Sequence, residues 1–337
     1  MRRGPLVALL VLAAATLAVV VIARAAMDSA PETKKAGELW KWKRGPDSTV
    51  ARTEVAAAVA AGSIYVAGGF VPPNRTTDIV ERYDLARHRW SRVAALPVPL
   101  NHAAAAGYRG HVYVAGGYAS RNGLANPSRA LYRYDPESNR WTRLPSMPTA
   151  RAALAFGAIK GRLYAAGGAD GTRALKTFEI YDIARRRWTR GPDLSVAREH
   201  LGGAVVEGEF YAVAGRNQDG NLSIAERFTP GRRAWLRLPD LGKARGGHGA
   251  AGWNFGATVF AVGGEEGAGT IAEVEGWGGR TPRKGWYGLP GLPTPRHGLG
   301  VVFDEPTEQL YVIEGGTSPG FSFSKRMEIM SLARPPD

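Results

Sequence analysis

The 337-residue sequence contains no cysteine. Disulfide staples and a lipid-modified cysteine anchor are therefore excluded. Acidic residues are comparatively few: 30 Asp and Glu stand against 44 Lys and Arg, for a formal charge of +14. A surface of that sign attracts anions. Nucleic acid is not expected among them, because there is no helical basic stripe, aromatic RNA-binding signature or zinc-ligand spacing. No Ser-His-Asp arrangement or redox pair can be assigned from spacing, and Gly263-Gly264-Glu265-Glu266-Gly267 follows a strand without opening a helix, so it is no nucleotide loop. One long apolar run stands apart, Leu6 to Ala23, whose single polar member is Thr16. It follows Arg2-Arg3, and Ala23-Arg24-Ala25 offers a small-x-small cleavage site. Residues 1–27 are therefore expected to be a signal peptide or an N-terminal membrane anchor, and 28–37 a short linker. Either form places the remainder outside the cytoplasm, as a secreted, periplasmic or membrane-anchored protein.

What the sequence has in abundance is a repeat. Short apolar strands end in paired glycine at Ile64–Gly69, Val112–Gly117, Leu163–Gly168 and Val259–Gly264, with altered endings at Phe210–Gly215 and Leu310–Gly315. The final glycines are 48, 51, 47, 49 and 51 residues apart. Trp42, Trp90, Trp141, Trp188, Trp235 and Trp286 give an independent ladder with steps of 48, 51, 47, 47 and 51. Between glycine pair and Trp lies an alternating segment ending in Tyr-Asp, as in Val80–Asp84, Leu131–Asp135 and Phe178–Asp182. An Ala/Val-rich stretch such as Ala56 to Ala60 precedes each glycine strand. The unit is thus four antiparallel strands, and a period near 50 makes six of them.

On these residues the chain resembles the kelch-repeat family over roughly residues 38 to 330. The resemblance implies an all-β fold, a six-bladed kelch β-propeller occupying 38–337. The strand Arg326–Met330 has no Trp strand after it, whereas Glu38–Trp42 has no blade of its own, so the N-terminal strand is expected to close the last blade. A monomer is expected.

Counting ten residues beyond each Trp gives Arg52, Leu100, Arg151, Arg198, Arg245 and Arg296. These positions fall where the chain returns to the innermost strand. In kelch domains that grip acidic peptides, arginines at this place line the ligand mouth. Arg52, Arg151, Arg198, Arg245 and Arg296 are therefore the candidate ligand-binding residues, with bracing of the loop between blades as the competing role. His102, His200, His248 and His297 cluster close to the same turn, but a full blade separates each from the next, so no metal site and no cofactor is expected.

Catalysis has weaker support. The copper site of galactose oxidase, another kelch ring, needs a Tyr-Cys cross-link that this chain cannot form. Exported sialic-acid epimerases need only a carboxylate beside an anion-binding arginine; Glu199, Glu54 and Glu314 are the candidates. The preferred reading is an exported binding module for an acidic glycan, sugar acid or acidic peptide, or for an envelope protein. A mutarotase or epimerase and an envelope scaffold are the alternatives.

Overall fold

The computed structural model describes residues 40–278 and 285–332, and these form a ring of six four-stranded antiparallel sheets. The apolar run, the linker and the start of the Glu38–Trp42 segment lie outside the described residues. Among those described, no helix is long and apolar enough to cross a membrane.

In the first blade the strands run outward as Ala56–Ala60, Ser63–Ala67, Val80–Asp84 and Arg89–Arg92, and the next four blades repeat this order. The sixth takes three strands, Gly300–Asp304, Gln309–Ile313 and Met327–Leu332, from the end of the chain and its outermost strand, Trp40–Arg44, from the beginning. Trp42 lies opposite Met330 in that ladder. The expected closure by the N-terminal strand is thus the one observed, and it leaves no open seam in the ring.

Small residues in the innermost strands follow from convergence on the axis. A Cβ on Gly107 would stand 1.9 Å from the Val59 carbonyl oxygen of the preceding blade. Away from the axis the blades diverge, and larger side chains fill the wedges. The buried apolar residues separate into six clusters, one in each wedge between neighbouring blades. Between the third and fourth blades, Phe178 meets Phe228 at 4.8 Å and Trp235 at 4.9 Å between ring centroids, both edge-on.

The tryptophan ladder has a second role that its spacing did not reveal. Each indole Nε1 donates to a carbonyl in the neighbouring blade: Trp90 to Pro46, Trp141 to Ala94, Trp188 to Pro145, Trp235 to Pro192 and Trp286 to Pro239, at 2.8–3.0 Å. Trp42 completes the set by donating to Pro290 at 2.8 Å. The closing strand is therefore stapled like any other. Replacing Trp42 by Phe keeps an aromatic ring and deletes the bond, so urea unfolding is expected to show a loss of at least about 1 kcal/mol. Trp188→Phe is expected to lose a comparable amount.

Candidate functional site

Each innermost strand is entered through a residue in the left-handed conformation. Glu54, His102, Ala153 and His200 have φ of 55°, 52°, 53° and 51°, and Gly247 and Gly298 follow with 64° and 58°. Holding a residue other than glycine in this conformation costs on the order of 1–3 kcal/mol. A circle of backbone hydrogen bonds offsets that cost. His102 N donates to Glu54 O at 3.0 Å, Ala153 to His102 at 2.8 Å, His200 to Ala153 at 2.9 Å, Gly247 to His200 at 3.2 Å and Gly298 to Gly247 at 2.8 Å. Val55 N donates to Gly298 O at 3.3 Å and closes the annulus.

The annulus frames an axial cavity of about 130 Å³, lined by small residues of the innermost strands and by Glu54, His102, His200 and His248. The histidines, expected to be kept apart by a blade each, are brought together here, because equivalent positions of a ring converge on its axis. One ligand atom from each of Glu54, His102 and His200 lies within 4.8 Å of the others. The His102 and His200 rings meet edge to face at 4.8 Å. Glu54 reaches His102 Nε2 at 3.2 Å with one oxygen and His297 Nδ1 at 3.2 Å with the other. Burial disfavours the Glu54 carboxylate, but the neighbouring imidazoles outweigh it and hold the group well below the usual carboxylate range. Burial pushes the His102 imidazole down to about 4, against the pull of Glu54. His248 is pushed down to about 3 by burial, with Arg245 adding to the effect. For His297 burial is overcome by the hydrogen bond to Glu54 and by the Glu54 and Glu265 charges, and its pKa rises.

A second layer surrounds this centre. Arg216 bridges Glu199 at 2.7 Å and Glu265 at 2.8 Å, and its Nη2 donates to His200 Nε2 at 3.2 Å. Glu199 also accepts from His200 Nδ1. Despite burial, His200 and Arg216 bring the Glu199 carboxyl down to about 2.

The five register arginines do not face this mouth. All have zero exposure, and each guanidinium pairs with a glutamate of its own blade, Arg52 pairing also with Glu314 of the sixth blade. Arg52 Nη2 pairs with Glu81 at 2.9 Å, Arg198 with Glu226 at 2.7 Å, Arg245 with Glu275 at 2.5 Å and Arg296 with Glu328 at 2.8 Å, while Arg151 pairs with Glu179. The Nη1 donors cap carbonyls near the end of the glycine strand: Arg151 Nη1 reaches Gly167 O at 3.0 Å and Thr177 O at 2.8 Å, and Arg245 and Arg296 make similar contacts, while the Nε of Arg52, Arg151 and Arg198 has no hydrogen-bond partner among the described residues. The bracing role is what the geometry displays, and the expected Arg-lined mouth is replaced by one of histidine and glutamate. The sequence carried an overlooked signal for this. The second residue of each third strand is Glu wherever the arginine is present, and in the second blade, where Leu100 replaces it, Tyr132 replaces the Glu. Both are buried in one apolar cluster.

Of the carboxylate candidates, Glu54 and Glu199 stand at the axis, beside histidines and Arg216 rather than beside Arg52 and Arg198. Glu314 is elsewhere. It occupies a glycine position with φ of 57° and its side chain is fully buried, accepting from Arg52 at 3.0 Å. Burial raises its pKa to about 7, with Arg52 opposing and Glu81 adding to the rise.

The loops joining the second and third strands crown the same end of the ring. Phe70 packs on His102 at 5.8 Å and on Phe321 at 5.3 Å, and Tyr118 also packs on His102 at 5.7 Å. Arg75 bridges to Asn122 of the next blade, so the loops of the sixth, first and second blades form a continuous rim.

A closed ring of six four-stranded blades with an axial mouth defines a repeat β-propeller. The chain belongs to the kelch-repeat family: the KLHDC2/KLHL20/DRC7 Kelch-repeats domain matches residues 54–264. It is 32% identical to human Kelch-like protein 34 over 116 residues, 32% of this chain and 18% of that protein. Kelch-like protein terF of Aspergillus terreus is 29% identical over 140 residues, 38% of this chain and 30% of terF. The chain thus spans less than a third of the length of these relatives. The solved structure of YjhT superimposes with a TM-score of 0.69 and 17% identity, over 84% of this chain and 95% of YjhT, a likeness of fold. Kelch propellers serve generally as protein-interaction modules.

Two outcomes test the brace. Arg151→Leu strands the Glu179 carboxylate and is expected to cost about 3–5 kcal/mol in chemical denaturation. Arg151→Leu/Glu179→Tyr, copying the second blade, is expected to recover most of that loss. For Glu314 the raised folded pKa stabilises the ring fully below the ordinary carboxylate value of 4.5, and this stability is lost as the pH rises through about 7. Glu314→Gln is therefore expected to melt with the unsubstituted protein at pH 4 and above it at pH 8, as read by calorimetry.

Proposed function

We propose that this chain is an exported kelch-repeat interaction module that holds an acidic segment of a protein partner on the rim around the axial mouth. The observation that carries the reading is a patch shared by the sixth, first and second blades. Phe321 and Leu124 are 52% and 50% exposed there, large apolar side chains turned to solvent. Arg75 and Arg121 are exposed beside them, with the Arg121 carbonyl accepting from Thr76 N at 2.9 Å. Neither guanidinium has a carboxylate partner among the described residues. Apolar tips next to unpaired planar cations fit a segment in which Asp or Glu flanks an apolar residue. This keeps the anionic ligand expected from the charge balance but moves its contacts from the buried arginines to the rim. Export rests on the apolar run at Leu6–Ala23 after Arg2-Arg3.

A sugar-acid epimerase is less well supported. A carboxylate meeting two arginines in a closed channel would favour it, but Glu199 meets Arg216 alone and is held ionised, which suits a proton acceptor and not a donor.

The test is fluorescence anisotropy of the full-length chain with a library of acidic peptides. Binding is expected to weaken with added salt, and to fall about tenfold or more in Arg75→Ala/Arg121→Ala. Peptide binding that ignores both substitutions would overturn the reading. Protease accessibility in intact cells checks export separately.

A further inference from the structure

The axial cluster has features that a peptide-binding rim does not need. The amide of Asn101 is oriented by its neighbours: Nδ2 donates to Thr76 Oγ1 at 2.8 Å and approaches the Gly123 carbonyl at 3.4 Å, a group that can only accept. Asn101 Oδ1 therefore accepts from His102 Nδ1 at 2.7 Å, and that nitrogen carries the hydrogen. His102 Nε2 lies 3.2 Å from Glu54 Oε2.

His200 is held in the same way, with Nδ1 on the Glu199 carboxylate. Both imidazoles thus have Nδ1 fixed by a side-chain oxygen, the second layer commonly found behind metal-bound histidine, with Nε2 of His102 on Glu54 and Nε2 of His200 on Arg216. His248 is an independent sign. It is 7% exposed and lines the same cavity, and neither of its ring nitrogens has a hydrogen-bond partner. The surrounding charge is also uneven: Glu54, Glu199 and Glu265 face Arg216 and, when protonated, His297.

We propose that Glu54, His102 and His200 bind one divalent transition-metal ion of the zinc type at the axial mouth, with His248 supplying a further imidazole from the fifth blade. Two imidazoles and a carboxylate are a nitrogen and oxygen donor set suited to zinc and its neighbours, whereas magnesium and calcium prefer oxygen alone. The ligand atoms, now within 4.8 Å of one another, draw in to bonds of about 2.0–2.2 Å from a shared centre. His200 Nε2 exchanges its contact with Arg216 for the ion, and Arg216 keeps both of its carboxylates. A residual open coordination position faces the cavity and accepts water or a carboxylate. Nothing in the peptide-binding proposal is required for this site.

The experiment is calorimetric titration of the chelator-treated full-length chain with Zn²⁺ and with Mg²⁺, alongside metal analysis after dialysis. One Zn²⁺ per chain and no Mg²⁺ uptake are expected. His102→Ala and His200→Ala are expected to weaken Zn²⁺ binding by about a hundredfold or more. His88→Ala/His111→Ala, on the turns at the opposite end of the blades, is expected to leave it unchanged. Should His102→Ala unfold, as judged by circular dichroism, Glu54→Gln serves in its place. The proposal is overturned if the folded, unsubstituted chain takes up no Zn²⁺. It is equally overturned if uptake survives His102→Ala/His200→Ala and disappears in His88→Ala/His111→Ala.

Discussion

The buried arginine–glutamate pair is the interaction on which the rest of the ring depends. Five blades carry it, each guanidinium lying with no exposure between the loop that enters the blade, the end of the glycine strand and the third strand. Removing ions from water is expensive, and their attraction in a dry interior does little more than repay the loss. The value of the arrangement is its directionality. A planar fork that must reach one carboxylate and two carbonyls allows a single path for the entry loop, and two residues further on that path sets the left-handed residue of the annulus. The second blade reaches a similar backbone with Leu100 and Tyr132, so apolar packing can replace the pair when both partners change together.

The ladders of glycine and tryptophan were legible because they answer to constraints that recur in every blade. Gly69 shows the reason: a Cβ there would lie 2.5 Å from the Thr53 carbonyl oxygen, and its φ is 93°. The closing strand was legible too, because Trp42 keeps the register of a blade it does not adjoin in sequence. The site was harder to read. Register placed the five arginines in the right loop, but whether a side chain runs into the blade or toward the axis depends on its partner, and that partner lies about thirty residues further on in a different strand. The histidines failed for the opposite reason. A separation of a whole blade along the chain becomes a few ångströms at the hub, where Glu54, His102 and His200 meet.

Near-identical units have thus produced an unlike centre. The annulus repeats a backbone conformation six times while its side chains differ: Glu54, His102, Ala153, His200, Gly247 and Gly298. The frame is fixed by main-chain hydrogen bonds, so the side chains it presents are free to vary without disturbing the wedges behind them. The same separation holds at the rim, where Phe321, Leu124, Arg75 and Arg121 sit on loops carried by rigid strands.

The closing strand also bears on how the ring is assembled. Trp42 bonds a residue 248 positions away, and its strand pairs with Met327–Leu332 still further along the chain. Each of the first five blades is local in sequence and can form as the chain emerges during synthesis, whereas the sixth waits for its last three strands. Until then Trp40–Arg44 is an unpaired edge, with Trp40 still lacking the wedge it fills beside Trp253 and Phe260. Ring closure is therefore the late step of folding, and the interval before it is when this chain is most open to association with its neighbours.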